Sequence, residues 1–304
     1  MKYLFASLLL LLSFRGGFGD LKSSVRQDAI EFRNVNVESS FPEGITFRIE
    51  ICGRPVPSNV IFNYTTSAEA TQYWGWNEEI WSEDEGQTSD DCDMRKFHLE
   101  TKELEIPPFA PVNYYWSVTE GKNTLGRSPE YVYLYKDGRF DWKSIENEHL
   151  SVWWHDRSDS FGQDVMSIAS RAFDDQAMFY ASSLDAPITI VIANTSEEFF
   201  AWQAEEDYAG GLAFPEISLT IQLVESELGY YDWLNDVIPH EISHIYFNHL
   251  VKRYSGTSYW LDEGLATYNE YSDHLSEWNV LKTAYEANQT MSLQDLEYGF
   301  GEDE

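Results

Sequence analysis

Cysteine is scarce, with only Cys52 and Cys92 in 304 residues, and basic residues are few, 20 Lys and Arg against 52 Asp and Glu for a formal net charge of −32. Two cysteines exclude a disulfide-dense small scaffold. They also exclude a cysteine-based zinc module, because no second Cys or His stands at short spacing from either. The deficit of positive charge excludes nucleic acid as a partner and disfavours an anionic membrane surface, since both would be repelled. Beyond the N-terminus no stretch reaches the roughly eighteen uncharged apolar residues that a membrane-spanning helix needs. No stable membrane insertion is therefore expected. Repeats and low-complexity linkers are missing too, so a solenoid or a tethered array is excluded.

What is present begins with a leader. Lys2 precedes an apolar run from Tyr3 to Leu12, and small residues follow at Gly17 and Gly19. This is the pattern of a secretory signal, with cleavage expected after Gly19, and it predicts a secreted or extracytoplasmic protein. An oxidising compartment favours one disulfide between Cys52 and Cys92, the alternative being two free thiols. If bridged, their Cα atoms should lie roughly 4.4–6.8 Å apart. The apolar fraction of 43%, with 11 Trp, is enough to build cores, which argues against disorder over most of the chain.

Residues 20–144 read as an all-β region. Alternating stretches at 45–51, 60–64 and 131–135 are separated by turn residues such as Gly53, Pro55, Gly121 and Gly138, and short strands at this spacing predict an immunoglobulin- or fibronectin-like sandwich. The acid-rich stretch from Glu78 to Asp93 lacks the carboxylate spacing of a calcium loop and is expected to be a solvated loop tied at Cys92. After Trp142 the pattern changes, so residues 145–304 form a second, α+β domain. Strands are expected at 150–154, 187–192 and 217–224. Helical spacing of Val165, Ile168, Ala169, Ala172 and Phe173 predicts a helix over 162–183, and Thr195 caps a short one through Trp202.

The chemistry lies in two motifs. His240-Glu241-Ile242-Ser243-His244 places two imidazoles four residues apart, on one face of a helix. This helix is expected to start with Asp236 as N-cap and Pro239 in its first turn. After eighteen further residues comes Glu263, within Trp260-Leu261-Asp262-Glu263-Gly264-Leu265-Ala266-Thr267-Tyr268. A catalytic Zn²⁺ takes three protein ligands and keeps a fourth position for water; His240, His244 and Glu263 would be the ligands, and Glu241 the base that deprotonates the metal-bound water. Glu270, two turns beyond Glu263, is a candidate acceptor for the outer ring nitrogen of a ligand histidine, or a surface carboxylate. Tyr268, Tyr271 and His274 are available as oxyanion donors, and the sequence does not choose among them. Gly264 and Ala266 would allow close approach of the two helices, with Trp260, Leu261, Leu265 and Tyr268 making the second one half-buried. The stretch from Gly211 to Ile221 is either a plain strand or an edge to which an extended peptide can add.

HEISH followed by WLDEGLATYNEY resembles the gluzincin clan of metallopeptidases, in which a second helix supplies a glutamate as third zinc ligand. A closer resemblance is to the bacterial peptidase MA-like family, over most of residues 40–300 and including Pro107-Pro108, Tyr114-Tyr115-Trp116 and Gly210-Gly211. It implies a β-rich N-terminal region joined to a gluzincin-type zinc peptidase domain, with the ligands and base already named. Two departures stand out. The glycine-x-methionine-glutamate-asparagine motif of the aminopeptidases is replaced by Gly211-Leu212-Ala213-Phe214-Pro215-Glu216, which points away from aminopeptidase action and toward an endopeptidase. The family also continues for several helices past this point, so the domain is expected to be incomplete at its C-terminal side, with apolar surface near Leu281. Two functions follow: a secreted zinc metallopeptidase acting on peptides or proteins, or a catalytically silent gluzincin-like binding or scaffolding protein. An intact Glu241 favours the first.

Overall fold

The computed structural model describes residues 29–54, 56–66, 80–81, 83–203, 210–225, 229–251 and 258–299. The expected leader at 1–19 lies outside them.

The first half is built of strands β1 (Glu31–Ser40), β2 (Gly44–Cys52), β3 (Val60–Thr65), β4 (Ile80–Trp81), β5 (Glu83–Ser89), β6 (Cys92–Glu100), β7 (Ala110–Glu120), β8 (Asn123–Arg127) and β9 (Tyr131–Tyr135). They form two antiparallel sheets, β1-β2-β6-β5 and β4-β3-β7-β8, with β9 also paired to β7. The period-two pattern of β2 puts Ile45, Phe47, Ile49 and Ile51 on one fully buried face. Phe47 then meets Phe62 of β3 at 4.7 Å and Tyr114 of β7 at 4.6 Å between ring centroids, which joins the two sheets through one aromatic core. Cys52 and Cys92 face each other in the β2–β6 register and are disulfide-bonded. Their Cα atoms are 4.1 Å apart, slightly closer than the expected window.

The acidic stretch is not a loop where it is described. Residues 83–89 form edge strand β5 against β6. The reason is electrostatic: Glu85 meets Lys96 Nζ of the adjoining β6 at 3.8 Å and Arg48 Nε of β2, one strand further, at 3.1 Å, and these cations offset its charge.

The second half contains β10 (Lys143–Glu146), β11 (Leu150–Trp154), α1 (Asp159–Phe179), β12 (Ile188–Ala193), α2 (Ser196–Phe200), β13 (Gly211–Phe214), β14 (Leu219–Leu223), α3 (Tyr230–Val251), α4 (Tyr259–Tyr268), α5 (Leu275–Glu286) and α6 (Leu293–Gly299). The sheet order is β10-β11-β12-β14-β13. The central three strands are parallel, and β10 and β13 are antiparallel edges. Ser158 Oγ accepts the Phe161 N–H and caps α1, a contact worth about 1 kcal/mol. Along β12, Ile188, Ile190 and Ile192 face α1 and α3, while Val191 and Ala193 join the core of the β region. The sheet that carries the site is therefore seated on the first half of the chain.

Helix α3 starts at Tyr230, about two turns before the expected Asp236 cap, so Pro239 lies inside it. Its neighbours make this tolerable: Leu234, Val237, Ile238, Ile242 and Ile245 are all buried, and burial of each large aliphatic side chain contributes about 1.5–3 kcal/mol. The expected burial of α4 also shifts. Ala266 is its one buried residue, Tyr268 is 68% exposed, and a Cβ on Gly264 would meet open space. Close approach to α3 thus depends on Ala266, not on Gly264. Helix α5 buries no residue and exposes Trp278, Val280, Leu281 and Tyr285. Among the described residues no helix is long and apolar enough to cross a membrane.

Candidate metal centre

The site forms where α3 crosses α4. The apolar side of α3 faces α1 and the sheet, which leaves His240 and His244 one turn apart on the side that meets α4, their ring centroids 5.0 Å apart. Glu263 of α4 stands between them. Its Oε2 is 3.3 Å from His240 Nε2 and its Oε1 is 3.6 Å from His244 Nε2. The ligand atoms of the three residues all lie within 4.8 Å of one another. Donors bound tetrahedrally at about 2.0–2.2 Å are separated from each other by roughly 3.4 Å. The donor set and its spacing therefore fit a metal ion.

The outer ring nitrogens are held as well. Glu270 Oε1 lies 2.8 Å from His240 Nδ1, and Asp262 Oδ1 lies 2.8 Å from His244 Nδ1. A carboxylate on Nδ1 fixes the tautomer that presents Nε2 inward and raises its basicity. Glu270 was among the expected residues and Asp262 was not. As the neighbour of Glu263 on a helix, Asp262 points about 100° away from it, and only the crossing of the helices brings it onto His244. Tyr259, one turn before Glu263, hydrogen-bonds that carboxylate.

Burial lowers the affinity of both imidazoles for protons, and the carboxylates around them outweigh it. His240 is pushed up to about 10, the desolvation opposed by hydrogen bonds to Glu263 and Glu270. His244 is also raised, desolvation being outweighed by Asp262, Glu241 and Glu263. Glu263 is held below the usual carboxylate range, first by its hydrogen bond with His240. A metal can bind only after both imidazoles lose their protons, so uptake should release up to two protons. In metal-stripped protein, chelator competition at pH 6, 7 and 8 should show affinity rising by about 10- to 100-fold per pH unit. A flat profile would contradict the ligand assignment.

Three contacts fix the α4 segment on α3. Pro239 has no N–H to give the Asn235 carbonyl four residues earlier, and that carbonyl accepts the Tyr271 N–H at 3.3 Å instead. Asp236 Oδ1 accepts the Ser272 N–H at 2.9 Å. The buried Ser243 hydroxyl takes Asn269 Nδ2 at 3.3 Å and pairs with Tyr180 Oη at 2.6 Å. The proline thus frees a carbonyl that anchors the residue next to Glu270.

The three expected oxyanion donors are not gathered at the metal residues. Tyr268 lies five positions beyond Glu263, about 140° around the helix, with its ring 5.8 Å from that of Phe179. The Tyr271 hydroxyl donates to Asp175 of α1 at 2.8 Å. His274 Nε2 is 3.5 Å from Glu270 Oε2, one carboxylate removed from His240.

Glu241 is only 5% exposed and lies against edge strand β13, next to Gly211. Burial pushes its carboxyl up to about 7, against the opposing pull of His244 and His240. A carboxylate that takes up and releases a proton near neutrality is suited to general-base work.

No curated protein matches the chain. Among solved structures, an aminopeptidase N family protein from Idiomarina loihiensis aligns with a TM-score of 0.31 and 8% identity. The alignment covers 71% of this chain and 47% of that one, so the chain spans just under half of that protein's length. The Peptidase MA superfamily model matches residues 170–304, a stretch that includes His240, Glu241, His244 and Glu263. Residues 170–304, a little under half of the chain, are thus similar to the Peptidase MA superfamily.

Proposed function

We propose that the chain is an extracytoplasmic zinc metallopeptidase of gluzincin type that cleaves internal peptide bonds, with an immunoglobulin-like sandwich as its N-terminal part. The observation that carries this reading is the convergence of His240, His244 and Glu263, with the buried carboxyl of Glu241 on the same helix. The match of residues 170–304 to a peptidase superfamily supports a peptide or protein substrate, and the Cys52–Cys92 disulfide is consistent with an oxidising compartment.

His240, His244 and Glu263 would hold the zinc, which supplies Lewis-acid polarisation of a carbonyl and lowers the pKa of water. Asp262 and Glu270 keep the two imidazoles oriented. Glu241 takes the proton from the attacking water and returns it to the leaving amine. Strand β13 pairs with β14 on one side only among the described residues, and its other edge is the surface on which an extended peptide would add main-chain hydrogen bonds.

The test combines elemental analysis of the purified chain with digestion of an unstructured protein. About one zinc per chain and internal fragments that disappear with chelator are expected. Zinc without cleavage would leave the silent scaffold as the function, and absence of zinc affinity would sink the zinc peptidase reading.

A further inference from the structure

Trp233, Val237 and Glu241 are spaced four residues apart on α3 and form one stripe along the helix. Gly210 and Gly211, where the chain enters β13, lie across it. A Cβ on Gly210 would collide with Cζ2 and Cη2 of the Trp233 ring. On Gly211 it would fall 2.7 Å from Val237 Cγ2 and 2.9 Å from Glu241 Cδ, and nearer still to Glu241 Oε1. Neither glycine has a positive φ, in contrast to Gly86, Gly121 and Gly229. Conformational freedom is thus not the reason for glycine here, and the space is.

We propose that Gly211 is a positioning residue for the general base: lacking a side chain, it lets β13 approach α3 closely enough to hold the Glu241 carboxylate buried at its working place. The inference rests on the hydrolase reading for its catalytic consequence, and on the contact itself for the rest. The Gly211↔Gln222 pairing in the β13–β14 register prevents the strand from simply moving away. An added methyl group must therefore displace the carboxylate or Val237. A displacement of about 1 Å at a catalytic group costs on the order of 100-fold in rate.

Two measurements test this. In the zinc-loaded enzyme, Gly211→Ala should lower kcat by about 10- to 100-fold, with KM within about twofold of wild type and the metal content unchanged. Gly210→Ala, whose methyl meets the Trp233 ring and not the base, should change kcat by less than about threefold. In metal-stripped protein, Gly211→Ala should lower Tm by about 3–8 °C, as overpacking does. In a Glu241→Ala background the same change should cost less than about half of that, because its main collision is gone.

An unchanged kcat, or an equal Tm loss in both backgrounds, would overturn the proposal. If Gly211→Ala does not fold, folding of the Gly211→Ala/Glu241→Ala double variant supports the contact, and failure of both overturns it. Wild-type protein that hydrolyses nothing while the Tm coupling persists would reject the hydrolase reading and the catalytic role, but leave the contact standing.

Discussion

Glu241→Gln is expected to keep the metal and lower kcat by about 10²- to 10⁴-fold. The three metal residues are untouched, and the amide fills nearly the same volume against Gly211 but cannot accept a proton. Stability should move the other way. The Glu241 carboxyl is raised to about 7 in the folded chain from an ordinary value of 4.5. For a group raised in this way, stability is fully present below the unfolded pKa and is lost as pH rises through the folded one. A neutral amide is free of that loss, so the Tm of metal-stripped Glu241→Gln should equal wild type near pH 4 and exceed it by a growing margin from pH 5 to pH 8. Rate, metal content and Tm across that range check both parts. A variant that still turns over at the wild-type rate would remove Glu241 from the mechanism.

The second large effect concerns retention of the metal. Glu263→Gln replaces the one anionic residue of the set with a neutral amide, and it removes the carboxylate that faces both His240 Nε2 and His244 Nε2. Zinc affinity should fall by more than about 100-fold, beyond the 10- to 100-fold expected for Glu270→Gln, which only loosens the orientation of His240. Activity of Glu263→Gln should return in part at high zinc concentration, whereas that of Glu241→Gln should not. Equal metal affinity in wild type and Glu263→Gln would end the assignment. The order Glu270 above Glu263 would reverse the roles given to them.

The sequence by itself determined what local periodicity encodes. Two histidines four apart must share a helix face, alternation in 45–51 must give a one-faced strand, and with only two cysteines there was one possible intramolecular disulfide. His240, Glu241, His244 and Glu263 were legible because one helical turn and one familiar spacing carry them. Only the tertiary structure decided the partners. Asp262 reaches His244 because α4 crosses α3, Tyr271 turns to Asp175 because α1 lies beside it, and the Glu85 carboxylate of β5 is offset by Lys96 of β6 and Arg48 of β2 only once the sheet is assembled. Pro239 reads in sequence as a first-turn residue, yet burial on both sides carries α3 through it, and the carbonyl it leaves unbonded anchors Tyr271. Gly211 shows the division most plainly. Its sequence signal is that of a turn, while its need for glycine comes from a helix about thirty residues further along the chain, since a spacing rule describes one element and steric contact between elements depends on how they pack.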